Sequence, residues 1–253
     1  MNKYKIKEWY GRSGNNLVQI LHMLVDSKNK NCCIIDNFQH PLFYVFNNII
    51  NKDGLKENKV YEWHWEEKFT QKMNLSDLKK LYNNHIKFKY QNQGPVYDIG
   101  IHIRAGDTFH LHRKHHHPLY VQPPLSFYEK IISENKNKKI SIVYEDNESP
   151  VINKLLEKYK NAPNIVFQSS NIVEDLLTLS RCKTFVMSMG TFPLIPYMIS
   201  TTIEDIIVPT YMKRGEVWFG LQDDFVKEIE LKGYMEIGDW KNSPEQRDLI
   251  VNY

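Results

Sequence analysis

From Val96 to Val208 short β-branched runs alternate with amphipathic stretches, and no other feature of the sequence restricts the fold as tightly. Val96–Arg104 (VYDIGIHIR), Ile140–Tyr144, Asn164–Phe167, Thr184–Ser188 and Asp205–Val208 each read as a buried strand. Pro124–Glu134, with Phe127, Ile131 and Ile132 at helical spacing, reads as a helix between the first two. Val151–Tyr159, Ile172–Ser180 and Pro193–Ser200 fill the later gaps in the same way. Strands that alternate with helices return parallel, through crossovers that place helices on both faces of one sheet. The class predicted is therefore α/β.

The first half opens on the same pattern. A strand over Lys5–Trp9 leads into the loop GRSGNN, a helix from about Leu17 to Val25 follows, and a strand is expected at Cys32–Asp36. Residues 37–95 are rich in Asn, Lys, Tyr and Trp and carry mixed periodicity. They read as the rest of a small N-terminal α/β domain over 1–95, ending in a linker near Lys87–Gly94. A Rossmann-like domain over 96–208 follows, then a tail over 209–253 whose packing the sequence leaves open. No internal repeat is present.

Composition excludes several classes. A chain of 253 residues, 42% hydrophobic and 25% charged, buries a sizeable core. A formal net charge of +3 does not supply the concentrated basic face that nucleic acid requires. Three cysteines, Cys32, Cys33 and Cys182, are odd in number and lack a framework spacing, so no disulfide scaffold is expected. The opening MNKYKIKEWY has no apolar signal region, and no run of about 18 apolar residues spans a membrane. A cytoplasmic location is expected, or a catalytic piece separated from its anchor. Arginine stands at only Arg12, Arg104, Arg113, Arg181, Arg214 and Arg247. Where it persists in so lysine-rich a chain, its planar fork is a candidate requirement, because lysine cannot copy a bidentate phosphate contact.

Three segments carry chemistry. His102-Ile103-Arg104-Ala105-Gly106-Asp107 begins at the carboxyl end of a predicted strand, the edge at which open parallel sheets bind ligands. An imidazole, a guanidinium and a carboxylate converge there beside a glycine that permits close backbone approach; a plain loop with an internal Arg–Asp pair is the alternative. Gly11-Arg12-Ser13-Gly14-Asn15-Asn16 lies between a strand and a helix and either presents backbone N–H groups to an anion or is a turn capped by Asn15 or Asn16. Ser188-Met189-Gly190-Thr191-Phe192-Pro193 also follows a strand and opens a helix, so its hydroxyls either meet phosphate oxygens or cap the helix.

Together these segments resemble the fucosyltransferase superfamily that includes the α-1,2- and α-1,6-fucosyltransferases and the peptide O-fucosyltransferases, with the α-1,2 branch the closest match. That family carries G-x-x-G-N, as in Gly11–Asn15. It carries H-x-R-R-x-D, as in His102–Asp107, and an acidic-leucine stretch before S-x-x-T-F, as in Asp175-Leu176-Leu177 and Ser188–Phe192. Order and spacing agree over roughly residues 8–208. Two positions depart from the pattern: Ala105 replaces the second arginine, and Thr108 stands where the α-1,2 enzymes usually have tyrosine.

The resemblance implies a GT-B-like architecture of two Rossmann-like domains facing a cleft, with the acceptor on the N-terminal side. It implies an inverting, metal-independent transfer of fucose from GDP-fucose, the donor substrate, to a glycan hydroxyl, with no further cofactor. Donor-binding positions would be Gly11, Gly14, Asn15, Asn16, His102, Arg104, Gly106, Asp146, Ser188, Gly190, Thr191 and Phe192. Arg104 would absorb leaving-group charge and Asp107 is the nearest candidate base, or else pairs with Arg104. Glu145-Asp146 at a strand end either meets the guanine or ribose or is solvated. The run His110–His117 contains no cysteine and no carboxylate, so an acceptor-side loop is expected there rather than a metal site. Trp63 and Trp65 alternate as on a strand and read as core or as a sugar platform. The rivals are transfer of another nucleotide-activated sugar and a non-catalytic nucleotide- or sugar-binding module.

Overall fold

The computed structural model describes residues 3–6, 8–29, 33–34, 39–45, 58–61, 73–91, 94–112, 116–214 and 219–253. Cys32, Trp63, Trp65 and the 113–115 stretch of the histidine run lie outside them. The chain divides into two compact units, one of Met1–Gln91 with Trp218–Asp223 and one of Asn92–Val217 with Asp224–Tyr253.

The first unit contains β1 (Lys3–Ile6), α1 (Ser13–Asn29), β2 (Cys33–Ile34), β3 (Phe43–Val45), β4 (Asn58–Tyr61), α2 (Leu75–His85) and β5 (Ile86–Phe88). Strands β2-β1-β4 form a parallel sheet, while β3 and β5 pair antiparallel with Phe43 opposite Phe88. Three expectations shift, the first being the strand expected over Lys5–Trp9, which lies earlier as β1. The helix expected from Leu17 begins at Ser13, so Gly14, Asn15 and Asn16 belong to its first turn rather than to a loop. The first two residues of the linker expected near Lys87–Gly94 belong instead to the strand β5, because Ile86 and Phe88 have a partner strand whose Phe43 and Val45 are buried, while the boundary between the units falls within that span, after Gln91. Alternating apolar residues become strand only when such a partner exists.

The second unit holds β6 (Tyr97–Ile103), α3 (Leu125–Glu134), β7 (Ile140–Tyr144), α4 (Pro150–Tyr159), β8 (Ile165–Gln168), α5 (Ile172–Ser180), β9 (Cys182–Val186) and α6 (Leu194–Ile199). It continues with β10 (Asp205–Pro209), α7 (Thr210–Arg214), β11 (Val226–Ile229) and α8 (Pro244–Asn252). Its six strands are all parallel, in the order β11-β10-β9-β6-β7-β8, and helices flank the sheet. The predicted α/β class is thus observed. Ile99–Ile103 of β6 are buried without a break, as a central strand covered on both faces requires. Burial of each such Ile, Leu or Phe contributes about 1.5–3 kcal/mol.

Local chemistry sets the helix starts. The Asn171 carboxamide oxygen accepts from the Val173 and Glu174 amides at 3.1 Å each and so caps α5, and Glu174 and Asp175 complement its positive end. Pro150 and Pro244 occupy first turns, where a missing N–H costs nothing. The strand expected over Thr184–Ser188 lies two residues earlier, in register with Tyr97 and Ile99 of β6. The region after Pro209, expected only as a tail, supplies the edge strand β11 and α8, which packs on α3 and α4.

Candidate active site at the carboxyl edge of the sheet

The order of the strands locates the site. From β6 the chain runs outward through β7 to β8, then returns to the other side of β6 and runs outward again through β9, β10 and β11. The direction reverses between β6 and β9, and the carboxyl edge at such a reversal is where doubly wound sheets open a crevice. Arg104 follows β6 directly, and Ser188 lies two residues beyond β9.

A buried relay joins the two strand ends. The Arg104 amide donates to Ser188 Oγ at 3.1 Å, and Ser188 Oγ lies 2.9 Å from His102 Nδ1. The hydroxyl thus joins the Arg104 backbone to the imidazole ring. Burial pushes the His102 pKa down to about 3, with the nearby Arg104 charge acting in the same direction, so the ring is neutral. Phe192 stacks on it with centroids 4.8 Å apart. His102, Ser188 and Phe192 therefore form one packed support beneath Arg104. The capping alternative for Ser188 and Thr191 is corrected: Pro193 is the N-cap of α6 and no side chain caps it.

The guanidinium is held from three sides. Nη2 donates to Asp107 Oδ1 at 2.6 Å, Nε donates to Thr108 Oγ1 at 3.3 Å, and the Tyr120 ring faces Cζ at 5.4 Å. The Arg104 side chain is 12% exposed. A guanidinium has five N–H donors, and among the described residues both on Nη1 and one on Nη2 have no acceptor. A Cβ placed on Gly190 would have Nη1 as its nearest neighbour, at 3.9 Å. Gly190 has φ +125°, a conformation side chains resist, so glycine keeps the backbone beside Nη1 bare. A fixed cation with unoccupied donors, next to bare backbone, can bind an anion end-on.

Asp107 is the ion-pair partner of Arg104, and Thr108 and Tyr120 complete a setting that spacing alone did not reveal. Asp146 braces the site: its Oδ1 accepts from the Gly106 amide at 3.1 Å and from the Glu148 amide at 2.9 Å, tying the loop after β7 to the loop after β6. Gly106 has φ +58°, and a Cβ there would run into the Glu145 carboxylate. Ala105, where the family motif has arginine, is fully buried. Asp175 of the acidic-leucine stretch accepts from Gln168 Nε2 at 2.8 Å and from the Ser170 amide at 3.2 Å, an internal brace between β8 and α5.

Gly11, Gly14, Asn15 and Asn16 lie in the first unit. Asn16 Nδ2 donates to the Tyr10 carbonyl at 3.0 Å, and Oδ1 accepts from His40 Nε2 at 3.1 Å, because His40 Nδ1 accepts from the Leu42 amide. Gln19 adds bonds to the Glu8 carbonyl and the Tyr10 amide. Among the described residues no group of three or more His, Cys, Asp or Glu side chains is placed to hold a metal, and no helix is long and apolar enough to cross a membrane.

No known family matches the sequence, and no curated protein matches it either. Among solved structures, POFUT1 in complex with GDP is similar, with a TM-score of 0.45 and 11% identity over 82% of this chain and 97% of that one.

Proposed function

We propose that this chain is a glycosyltransferase that takes its sugar from a nucleoside diphosphate sugar, GDP-fucose in the first instance, and moves it to a glycan hydroxyl with inversion. The observation that carries this reading is the Arg104 guanidinium, anchored by Asp107, Thr108 and Tyr120 at the sheet's reversal point with donors still unoccupied. The motif resemblance over His102–Asp107 and Ser188–Phe192 names the donor.

In this mechanism the acceptor hydroxyl attacks the anomeric carbon and the nucleoside diphosphate departs from the opposite face. Negative charge builds on the diphosphate oxygens. Arg104 meets it with charge-assisted hydrogen bonds already aimed, so little reorganisation opposes the step. Asp107 and the His102–Ser188 relay position the guanidinium and its backbone. With an arginine in that role the transfer is expected to persist in EDTA. Buried Ala105, in place of the motif's second arginine, favours one alternative, a donor with a different sugar or base.

A thermal-shift panel of GDP, UDP, ADP and CMP, followed by donor turnover with and without EDTA, tests the reading. GDP is expected to stabilise the fold by about 2.7 kcal/mol at a hundredfold excess over its Kd. A shift with UDP and none with GDP overturns the GDP-fucose donor. Tight GDP binding without any donor hydrolysis or transfer reduces the chain to a binding module.

A further inference from the structure

The connection from β6 to α3, residues 104–124, carries Arg104, Asp107, Thr108 and Tyr120. Long connections of this kind are usually mobile unless something orders them. Over residues 104–112 and 116–124 the ordering contacts come from the far end of the chain. Trp240 Nε1 donates to the Thr108 carbonyl at 3.3 Å, and Arg247 Nη1 donates to the Phe109 carbonyl at 3.0 Å. The Gly238 and Trp240 amides donate to the Pro118 carbonyl at 3.1 and 3.3 Å. The Tyr211 hydroxyl donates to the Val121 carbonyl at 3.1 Å, and the Tyr234 hydroxyl donates to the Gln122 carbonyl at 2.7 Å. Five carbonyls of one connection thus accept from residues that follow Pro209.

Two of these donors meet the loop residues that follow Arg104. Trp240 is 1% exposed and meets Phe109 edge-on at 5.4 Å, and Arg247 lies over the same Phe109 ring at 5.6 Å. Arg247 Nη2 also donates to the Glu148 carbonyl at 3.1 Å, and Nη1 reaches Asn242 Oδ1 at 3.1 Å. One planar fork therefore joins the loop after β6 to the loop after β7, the same two loops that Asp146 ties through the Gly106 amide. Asn242 holds φ +55°, the one non-glycine with positive φ among the described residues, and this turn brings its carboxamide to Arg247.

We infer that Tyr211, Tyr234, Gly238, Trp240 and Arg247 form a clamp that holds the Arg104 connection in its binding geometry, with Trp240 and Arg247 as positioning residues. Trp240 acts through the carbonyl of Thr108 and Arg247 through that of Phe109. The functional half of this inference rests on the reading of Arg104 as a diphosphate ligand, and the structural half does not.

The test is amide hydrogen exchange on the whole chain, paired with GDP titration, for wild type, Trp240→Phe, Arg247→Met and Arg247→Lys. Trp240→Phe keeps an aromatic ring while removing the N–H donor together with part of the ring volume, so it remains informative if an arginine variant fails to fold. Expected is a rise of about tenfold in exchange over residues 104–124, with the amides of β6, β7 and β9 unchanged. GDP affinity is expected to fall roughly 10-fold or more, the scale on which misplacing a binding group costs function. Arg247→Lys is expected to recover less than half of the loss, because a point charge cannot bridge two loops. Unchanged exchange in folded variants overturns the clamp. A rise spread evenly over the second unit also overturns it and makes the contacts ordinary core. Local loosening with wild-type GDP affinity overturns the positioning role. If wild type itself binds no GDP, the function proposed above fails, and exchange alone then decides the clamp.

Discussion

The loops after β1 and after β6 are built from the same parts. Each follows a parallel strand, turns on a glycine with positive φ (Gly11 at +66°, Gly106 at +58°) and is braced through its backbone by an amide or acid side chain from a neighbouring element. They differ in what remains after bracing. Around Gly11, both ends of the Asn16 carboxamide and both ends of Gln19 are engaged by backbone and by His40. Around Gly106, the bracing groups surround a guanidinium that has more donors than the described residues fill. A glycine-rich turn after a strand thus marks where the backbone bends. Whether the turn binds anything depends on the count of unoccupied polar groups, and burial makes that count consequential because a buried donor without a partner is costly.

The largest test of that contrast is Arg104→Ala. It removes the unoccupied donors and is expected to lower kcat/KM by at least about 10²-fold, with the fold retained. Arg104→Lys is expected to recover little of it. Steady-state kinetics beside circular dichroism melts decide: a sharp loss of melting temperature with unchanged GDP affinity per folded molecule makes Arg104 a structural residue and erases the difference between the loops.

Asn16→Ala is the counterpart in the first unit. It leaves the His40 Nε2–H without that acceptor and removes a bond to the Tyr10 carbonyl, so stability is expected to fall by about 1–3 kcal/mol. GDP affinity of the folded protein is expected to hold. Denaturant melts with and without GDP measure both quantities. Weakened GDP binding without loss of stability would put the first loop among the ligand-binding elements.

The last test concerns two buried histidines. Burial holds His40 down to about 4, helped by the Lys89 charge, and holds His102 down to about 3, helped by Arg104. Free imidazole titrates near 6.5, so below that pH the unfolded chain binds a proton that the fold excludes. Each residue's contribution is present above about 6.5 and declines as pH falls, by up to about 1.4 kcal/mol per pH unit. The decline ends near pH 4 for His40 and continues toward pH 3 for His102. Urea melts across that range should show His102→Asn and His40→Asn flattening the acid limb, the former over the wider interval. An acid limb of wild-type slope in His102→Asn would mean that the ring beside Ser188 charges freely.

Much of this protein was settled by local sequence. The alternation from Val96 to Val208 determined an α/β unit, and Ile140–Tyr144 and Ile172–Ser180 lie where their periodicity put them, because side-chain period and capping act within a few residues. His102–Asp107 was readable as an edge motif for the same reason: strand, basic residue and glycine are contiguous. Tertiary structure alone decided the rest. The order β9-β6-β7, which makes the end of β6 a reversal point, depends on pairing between segments far apart in the chain. The bond from the Arg104 amide to Ser188 spans 84 positions, and those from Trp240 and Arg247 to Thr108 and Phe109 span 132 and 138. No period in the sequence encodes such distances, since they follow from which faces find partners once the sheet has formed. Asn16 and Arg104 therefore read alike in the sequence, and only folding determined that one is closed within the protein and the other left with donors to offer.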